Sequence, residues 1–346
     1  MNKISQPSKT RERSFRALLA ATFAVVATAA FGQGKGETVR IQDYPGTAGL
    51  TMRVAIAKGY CENAGIKCQL QVIPSATLGI QAALAKSIEV AFASAETIVP
   101  AVMKGAKLKY VGNLYAKSPG EIIVGNHVAA ANAGKPFPTW AKDLKGKKIG
   151  VTSRGSAVET GMRFILEKAG LTAEDVTWVA VGPPATTIQA LAHGQIDFAF
   201  SYVPAGAMCE VTKQCKVVWR ADTDPQPAEI FATNGAGIGM VLTQAYVDAH
   251  PHVVAALVKA ARDADEFIND PANSEEVVKI SESFFKFNMT DGNQLTRALV
   301  KRQIKIAAHD VRISRPAVKA TIDFMLQTGQ WDKGIDAAEF VDSRAP

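Results

Sequence analysis

The chain has 346 residues, 47% of them hydrophobic and 21% charged, with 39 Lys and Arg against 32 Asp and Glu. That length allows one large or two ordinary domains, and the composition is that of a globular chain able to bury a full core. The formal net charge of +7 is no sign of nucleic-acid binding, because no run of Lys or Arg interleaved with aromatics accompanies it.

Residues 1–32 read as a secretory signal peptide. Lys3, Lys9, Arg11, Arg13 and Arg16 make a basic start, and Ala17 to Ala30 is an apolar stretch too short to span a bilayer. Ala27-Thr28-Ala29 and Ala30-Phe31-Gly32 both offer small residues for cleavage. No cysteine near them suggests a lipid anchor, and no Arg-Arg pair suggests twin-arginine export. Without those five basic residues and Glu12, the exported chain carries about +3. It holds all four cysteines. In an oxidising compartment the even count and close spacing favour Cys61–Cys68 and Cys209–Cys215, each small loop contributing roughly 2–3 kcal/mol. Free buried thiols are the alternative.

The exported part alternates strand and helix. Val39 to Gln42 is a short β-rich run, and after the turn YPGTAGL, Leu50 to Lys58 is a helix with Met52, Ala55 and Ile56 inward. Gln69 to Ile73, IEVAFAS and LKYVGNLY are further strands, separated by helices through Ala85 and over AETIVPAVMKG. This order builds a parallel sheet covered by helices. A second set follows: PGEIIVGNH, a loop over 129–141, KKIGVTS, a helix from Ser156 to Lys168, DVTWVAV, a helix opening on Pro183 and Pro184, QIDFAFS, a short helix and CKVVWR. GIGMVL is one more strand. The remainder is mostly helical and cannot form its own sheet, so it is expected to pack on the first one.

Taken together and in this order, the segments VRIQDYPGTAGLTMRVAIAKGY, AGIKCQLQVIP, ALAKSIEVAFASAETIVPAVMKGAKLKYVG, DLKGKKIGVTSRGSAVETGMRFILEKAGL, VGPPATTIQALAHGQIDFAFSYVPAG and GMVLTQAYVDAHPHVVAALVKA resemble the nitrate/sulfonate/taurine class of solute-binding proteins of ABC importers, a group that includes thiamine-precursor binders. The resemblance runs from about Val39 to the last helices. It implies an α/β, two-lobed periplasmic-binding-protein type II fold with two hinge crossings: lobe 1 from 33–115 plus 241–346, lobe 2 from 116–240. It also implies that the ligand lies between the lobes.

Open parallel sheets bind ligands outside the carboxyl ends of their strands. That rule selects Tyr44, Gly46 and Thr47 after the first strand, Ser75 after the second, and Ser94 and Glu96 after the third. In the second set it selects Ser153, Arg154 and Ser156, and later Tyr202. Each has a plain structural alternative. Serines cap helices, a first-turn Glu is favoured by the helix dipole, and an arginine can lie in solvent. As ligand groups, the hydroxyls and helix N-termini would hold a carboxylate, sulfonate or nitrate, Arg154 by two parallel bonds. Glu96 would receive an ammonium or a ring N–H. If Glu96 faces inward beside Arg154, a zwitterion fits better than a bare anion.

The loop at 153–156 lacks the nucleotide phosphate-loop pattern, and the glycines at 235–239 lack a dinucleotide setting. His127, His193, His250, His252 and His309 form no metal motif. The expectation is therefore a monomeric periplasmic protein without metal or cofactor. It hands a small anionic or zwitterionic solute to a permease in the inner membrane and transforms nothing. An enzyme on the same fold, such as a thiamine-pyrimidine synthase or a menaquinone-pathway lyase, and a ligand-sensing module are the rival readings.

Overall fold

The computed structural model describes residues 35–43, 49–284, 292–306 and 310–346. The expected signal peptide lies outside them, as do Tyr44, Gly46 and Thr47.

The first unit is built from β1 (Glu37–Asp43), α1 (Leu50–Ala57), α2 (Tyr60–Asn63), β2 (Ile66–Val72), α3 (Ala76–Leu84), β3 (Ala91–Ala93), α4 (Ala95–Met103) and β4 (Leu108–Asn113). The second comprises β5 (Gly120–Gly125), β6 (Lys148–Val151), α5 (Ala157–Lys168), β7 (Thr177–Ala180), α6 (Pro184–Ala192), β8 (Phe198–Tyr202), α7 (Ala205–Thr212), β9 (Cys215–Arg220) and α8 (Ala228–Phe231). The chain then returns through β10 (Gly239–Thr243) to α9 (Gln244–Ala249), α10 (Pro251–Asn269), α11 (Ser274–Phe284), α12 (Gly292–Ile306) and α13 (Arg315–Gln327). Most of these elements follow the hydrophobic periodicity. The expected loop ends in a 3-10 turn at Trp140–Leu144, because Trp140 and Leu144 are buried in the second core.

The second sheet has the order β7-β6-β8-β5-β9. In the first, β1 pairs with β2, and β10 lies between β3 and β4. Main-chain bonds from Gln42 to the Val90 carbonyl (2.9 Å) and from Val90 to the Arg40 carbonyl (3.1 Å) join these pieces. The array is therefore β2-β1-β3-β10-β4, the same order as the second. Neither sheet is wholly parallel as expected: β10 runs antiparallel to β3 and β4, and β5 antiparallel to β8 and β9. The physical reason is connectivity. Both strands arrive from the other unit, not through a helical crossover, so nothing forces the parallel sense.

Helices cover both faces of each sheet. On the first, α1, α10 and α11 bury one apolar cluster, and α3, α4 and α13 the other. On the second, α5 and Trp140 cover one face, and α6 and α7 the other. The helical tail packs on the first sheet as expected, and it also reaches the second: Leu295 and Leu299 of α12 join the α6–α7 core, and Phe324 of α13 meets Phe164 edge-on at 5.1 Å. Both expected disulfides are present, Cys61–Cys68 and Cys209–Cys215, one in each unit.

Candidate functional site

β1 to β4 run in one sense, so Asp43, Val72, Ala93 and Asn113 end at one edge of the first sheet. By the same logic Val151, Ala180, Tyr202 and Arg220 end at one edge of the second. The chain leaves the first edge after Asn113 and enters the second at Gly120, then returns from Arg220 to Gly239. Both crossings therefore join these two edges, and the turns there are the loops that a shared crevice would use.

The crossings are tied to each other. Leu114 and Tyr115 donate their amides to the Ile238 carbonyl at 2.9 and 2.8 Å. Asn234 accepts from the Ser118 amide at 2.7 Å and donates to the Ala221 carbonyl at 2.9 Å. The alternating glycines 235, 237 and 239 belong to this contact. A Cβ at Gly237 would sit 2.1 Å from the Tyr115 carbonyl oxygen, and one at Gly239 2.2 Å from that of Gly112. Beneath them Tyr110 donates to Asn113 (2.9 Å), and Asn113 to the Gly235 carbonyl (3.1 Å). Burial pushes the Tyr110 phenol well above its ordinary range. The sequence gives these glycines no dinucleotide-binding setting. Their spacing of two before a strand is the signal for backbones in close approach.

At the first edge, Gln42 is wholly buried. It donates to the carbonyls of Ile73 (3.0 Å) and Ser75 (2.9 Å) and accepts from the Phe92 amide (2.8 Å), fixing the turn that carries Ser75. Ser75 caps α3 by accepting from the Leu78 amide at 3.3 Å. Ser94 precedes α4 but makes no side-chain cap. Its hydroxyl instead donates to Glu96 at 2.9 Å. Glu96 is exposed, yet desolvation raises its carboxyl above the ordinary value, with the Ser94 hydroxyl opposing. No cation pairs with Glu96 among the described residues.

At the second edge the anion donors have an occupant from the chain itself. Arg154 donates from Nε and Nη2 to Glu159 at 3.0 and 3.2 Å, the Gly155 amide donates to Glu159 at 2.7 Å, and Arg163 adds a bond of 2.7 Å. Ser156 caps the Glu159 amide at 3.4 Å. Arg154, first among these donors, holds the Glu159 carboxyl down at about 2, with burial opposing. Both guanidinium groups also lie over the Trp178 ring, 5.8 and 4.8 Å from its centre. Ser153 is exposed one residue before Arg154, and Tyr202 is 38% exposed, its hydroxyl raised by desolvation.

The expected residues within the described chain, Ser75, Ser94, Glu96, Ser153, Arg154, Ser156 and Tyr202, thus all lie at the two joined edges. Sequence reading passed over Glu159, which the i, i+4 spacing to Arg163 signals. It also omitted the ends of β4 and β9. There the crossing residue Lys117 pairs with no carboxylate among the described residues. Asp224 is half-buried, and its carboxyl is raised by desolvation. Among the described residues no group of three His, Cys, Asp or Glu could hold a metal, and no helix is long and apolar enough to cross a membrane.

Solved structures share this fold. The periplasmic aliphatic sulphonate binding protein SsuA from Escherichia coli is 16% identical with a TM-score of 0.68, over 88% of this chain and 92% of that one. A putative periplasmic sulfonate-binding protein SsuA from Methylobacillus flagellatus KT is 18% identical, with a TM-score of 0.65 over 89% and 92%. The periplasmic nitrate-binding protein NrtA from Synechocystis PCC 6803 is 15% identical, with a TM-score of 0.55 over 78% and 70%. These likenesses are of fold alone, that of the periplasmic binding proteins. No curated protein sequence is recognisably similar. Residues 48–274, more than half of the chain, match the family described as NMT1/THI5 like, and the chain belongs to that family.

Proposed function

We propose that this protein is the periplasmic substrate-binding component of an ABC importer, holding a small organic zwitterion between lobes 33–115 plus 241–346 and 116–240. One observation carries the reading: two sheets of identical strand order are joined by both crossings at the edges where the carboxyl ends of their parallel strands lie. The fold shared with sulfonate- and nitrate-binding proteins supports it, and so does the signal-like start of the sequence.

The charges at the edges narrow the solute. Arg154 and Ser156 serve Glu159, whereas Glu96 and Asp224 have no cation and Lys117 no carboxylate among the described residues. A solute with an ammonium or ring N–H beside a sulfonate or carboxylate matches that set better than nitrate does. Glu96 and Ser94 receive the cationic end. Ser75, Ser153 and the residues expected from the sequence, Tyr44, Gly46 and Thr47, supply hydroxyls and amides, and Tyr202 covers the solute. Arg154 contributes only if it leaves Glu159. The partner is a membrane permease, and the solute leaves unchanged.

A thermal-shift screen with taurine, alkanesulfonates, nitrate, aromatic carboxylates and pyrimidines tests this. A solute at about 100 times its Kd stabilises the native state by about 2.7 kcal/mol. Stabilisation by taurine but not by nitrate or a simple pyrimidine is the expected result. Turnover of the bound compound would establish an enzyme instead.

A further inference from the structure

Helix α12 lies between the units, packed on α11 of the first and α7 of the second. Its two sides differ in kind. Toward the second unit, Leu295 and Leu299 are buried, and Arg302 enters a closed group of charges. Arg302 Nη1 donates to Asp222 Oδ2 at 2.7 Å, Nη2 donates to Oδ1, and Nε lies 3.6 Å from Glu121. Both carboxylates are wholly buried, and Arg302 is 8% exposed. Glu121 also accepts from the Gly206 amide (2.7 Å) and Arg220 Nε (3.0 Å). Glu121 stands just after the outward crossing and Asp222 at the start of the return, so one arginine forks onto Asp222 and lies within ion-pair distance of Glu121, its Nε making no hydrogen bond. One turn on, the Ile306 carbonyl accepts from the amides of Ala116 (3.0 Å) and Lys117 (3.3 Å).

Toward the first unit, Val300 and Ile304 meet an apolar cluster, and the ion pair Arg297–Glu275 lies open to solvent, with side chains 44% and 65% exposed. An exposed pair contributes little. Breaking a buried, forked pair leaves charge stranded without water. Apolar contact is non-directional and tolerates sliding.

We propose that Arg302 pins α12 to the second unit and that the face between α11 and α12 slips when the two units move. α12 then acts as a third link between the units, riding with the second as the crevice opens and closes. The proposal uses the crevice reading only for the consequence of this motion, and its test needs no solute.

Pairs of spin labels measure it. All four cysteines are in disulfides, so introduced thiols label selectively. Lys301→Cys on α12 is paired with Lys216→Cys on β9, or with Lys279→Cys on α11; all three positions are exposed. The α12–β9 distance distribution should be narrow and the α12–α11 distribution broader. Equal widths, or the reverse order, overturn the proposal. Arg302→Met would strand two carboxylates and risks unfolding, so Arg302→Lys, which keeps the charge and loses the fork, is the working variant. It should broaden the α12–β9 distribution, and Arg297→Met should not. An unchanged α12–β9 width in Arg302→Lys removes Arg302 as the pin. A solute screen without a hit leaves these distances readable, so the two failures are distinct.

Discussion

The two sheets share a strand order but treat charge at their joined edges differently. The second pairs its arginines internally, Arg154 and Arg163 with Glu159 and Arg220 with Glu121 and Glu210, and its Asp222 receives Arg302 from α12. The first buries one complete pair, Arg53–Asp43, and leaves Glu96 with only a serine hydroxyl. A helix mouth filled by the protein's own carboxylate is a structural joint. Glu96, by contrast, has no cation beside it among the described residues. Identical topology therefore gives one edge whose arginines are all paired and one that leaves Glu96 without a cation among the described residues, as Asp224 is left in the return crossing.

The largest effect that sharpens this contrast lies in the buried pair. Arg53→Met should cost about 3–5 kcal/mol, because buried Asp43 loses its guanidinium partner. Denaturant unfolding reads it directly, and a loss below about 1 kcal/mol, the range of exposed pairs, would place that joint in solvent. The disulfides come next. Replacing Cys61 and Cys68 by serine, or Cys209 and Cys215, should each lower stability by roughly 2–3 kcal/mol, since the two loops are of similar length. Markedly unequal losses would show that one unit depends on its bridge for more than chain entropy.

Acid probes the second edge. The folded Glu159 carboxyl sits near 2, below its ordinary value. Its stabilisation is complete above the unfolded value and is lost as pH falls toward 2. Because Arg154 and Arg163 are half-exposed, the effect is about 1–2 kcal/mol. Glu159→Gln should therefore flatten the acid limb of unfolding between roughly pH 5 and pH 2. The smallest effects are at the caps. Ser75→Ala and Ser156→Ala should each cost about 1 kcal/mol, and Ser94→Ala almost nothing, because Ser94 caps no amide. A normal capping loss at Ser94 would contradict its assignment to Glu96.

Much of this was legible in the residues. Alternating apolar periods gave the order of elements, the strand-end rule gave the loops that meet, and cysteine spacing gave both disulfides. What stayed hidden was pairing. The sense of β5 and β10 depends on which unit a strand comes from, which no local period encodes. Arg154 looked free because its partner Glu159 reads, locally, as an ordinary first-turn acid. Arg53 sits on the buried face of α1, where a charge is unexpected without knowledge of Asp43. The bridging role of α12 needs contacts between residues 80 apart, as in Asp222–Arg302.

The most direct test of the binding reading is calorimetric titration of the best-stabilising solute from the screen against the unaltered protein and against Glu96→Gln. The solute should carry an ammonium or ring N–H, and losing the carboxylate should weaken binding about tenfold to a hundredfold, the worth of a hydrogen bond to a charged group. Tight binding of nitrate or a simple sulfonate with the same affinity in Glu96→Gln would contradict it.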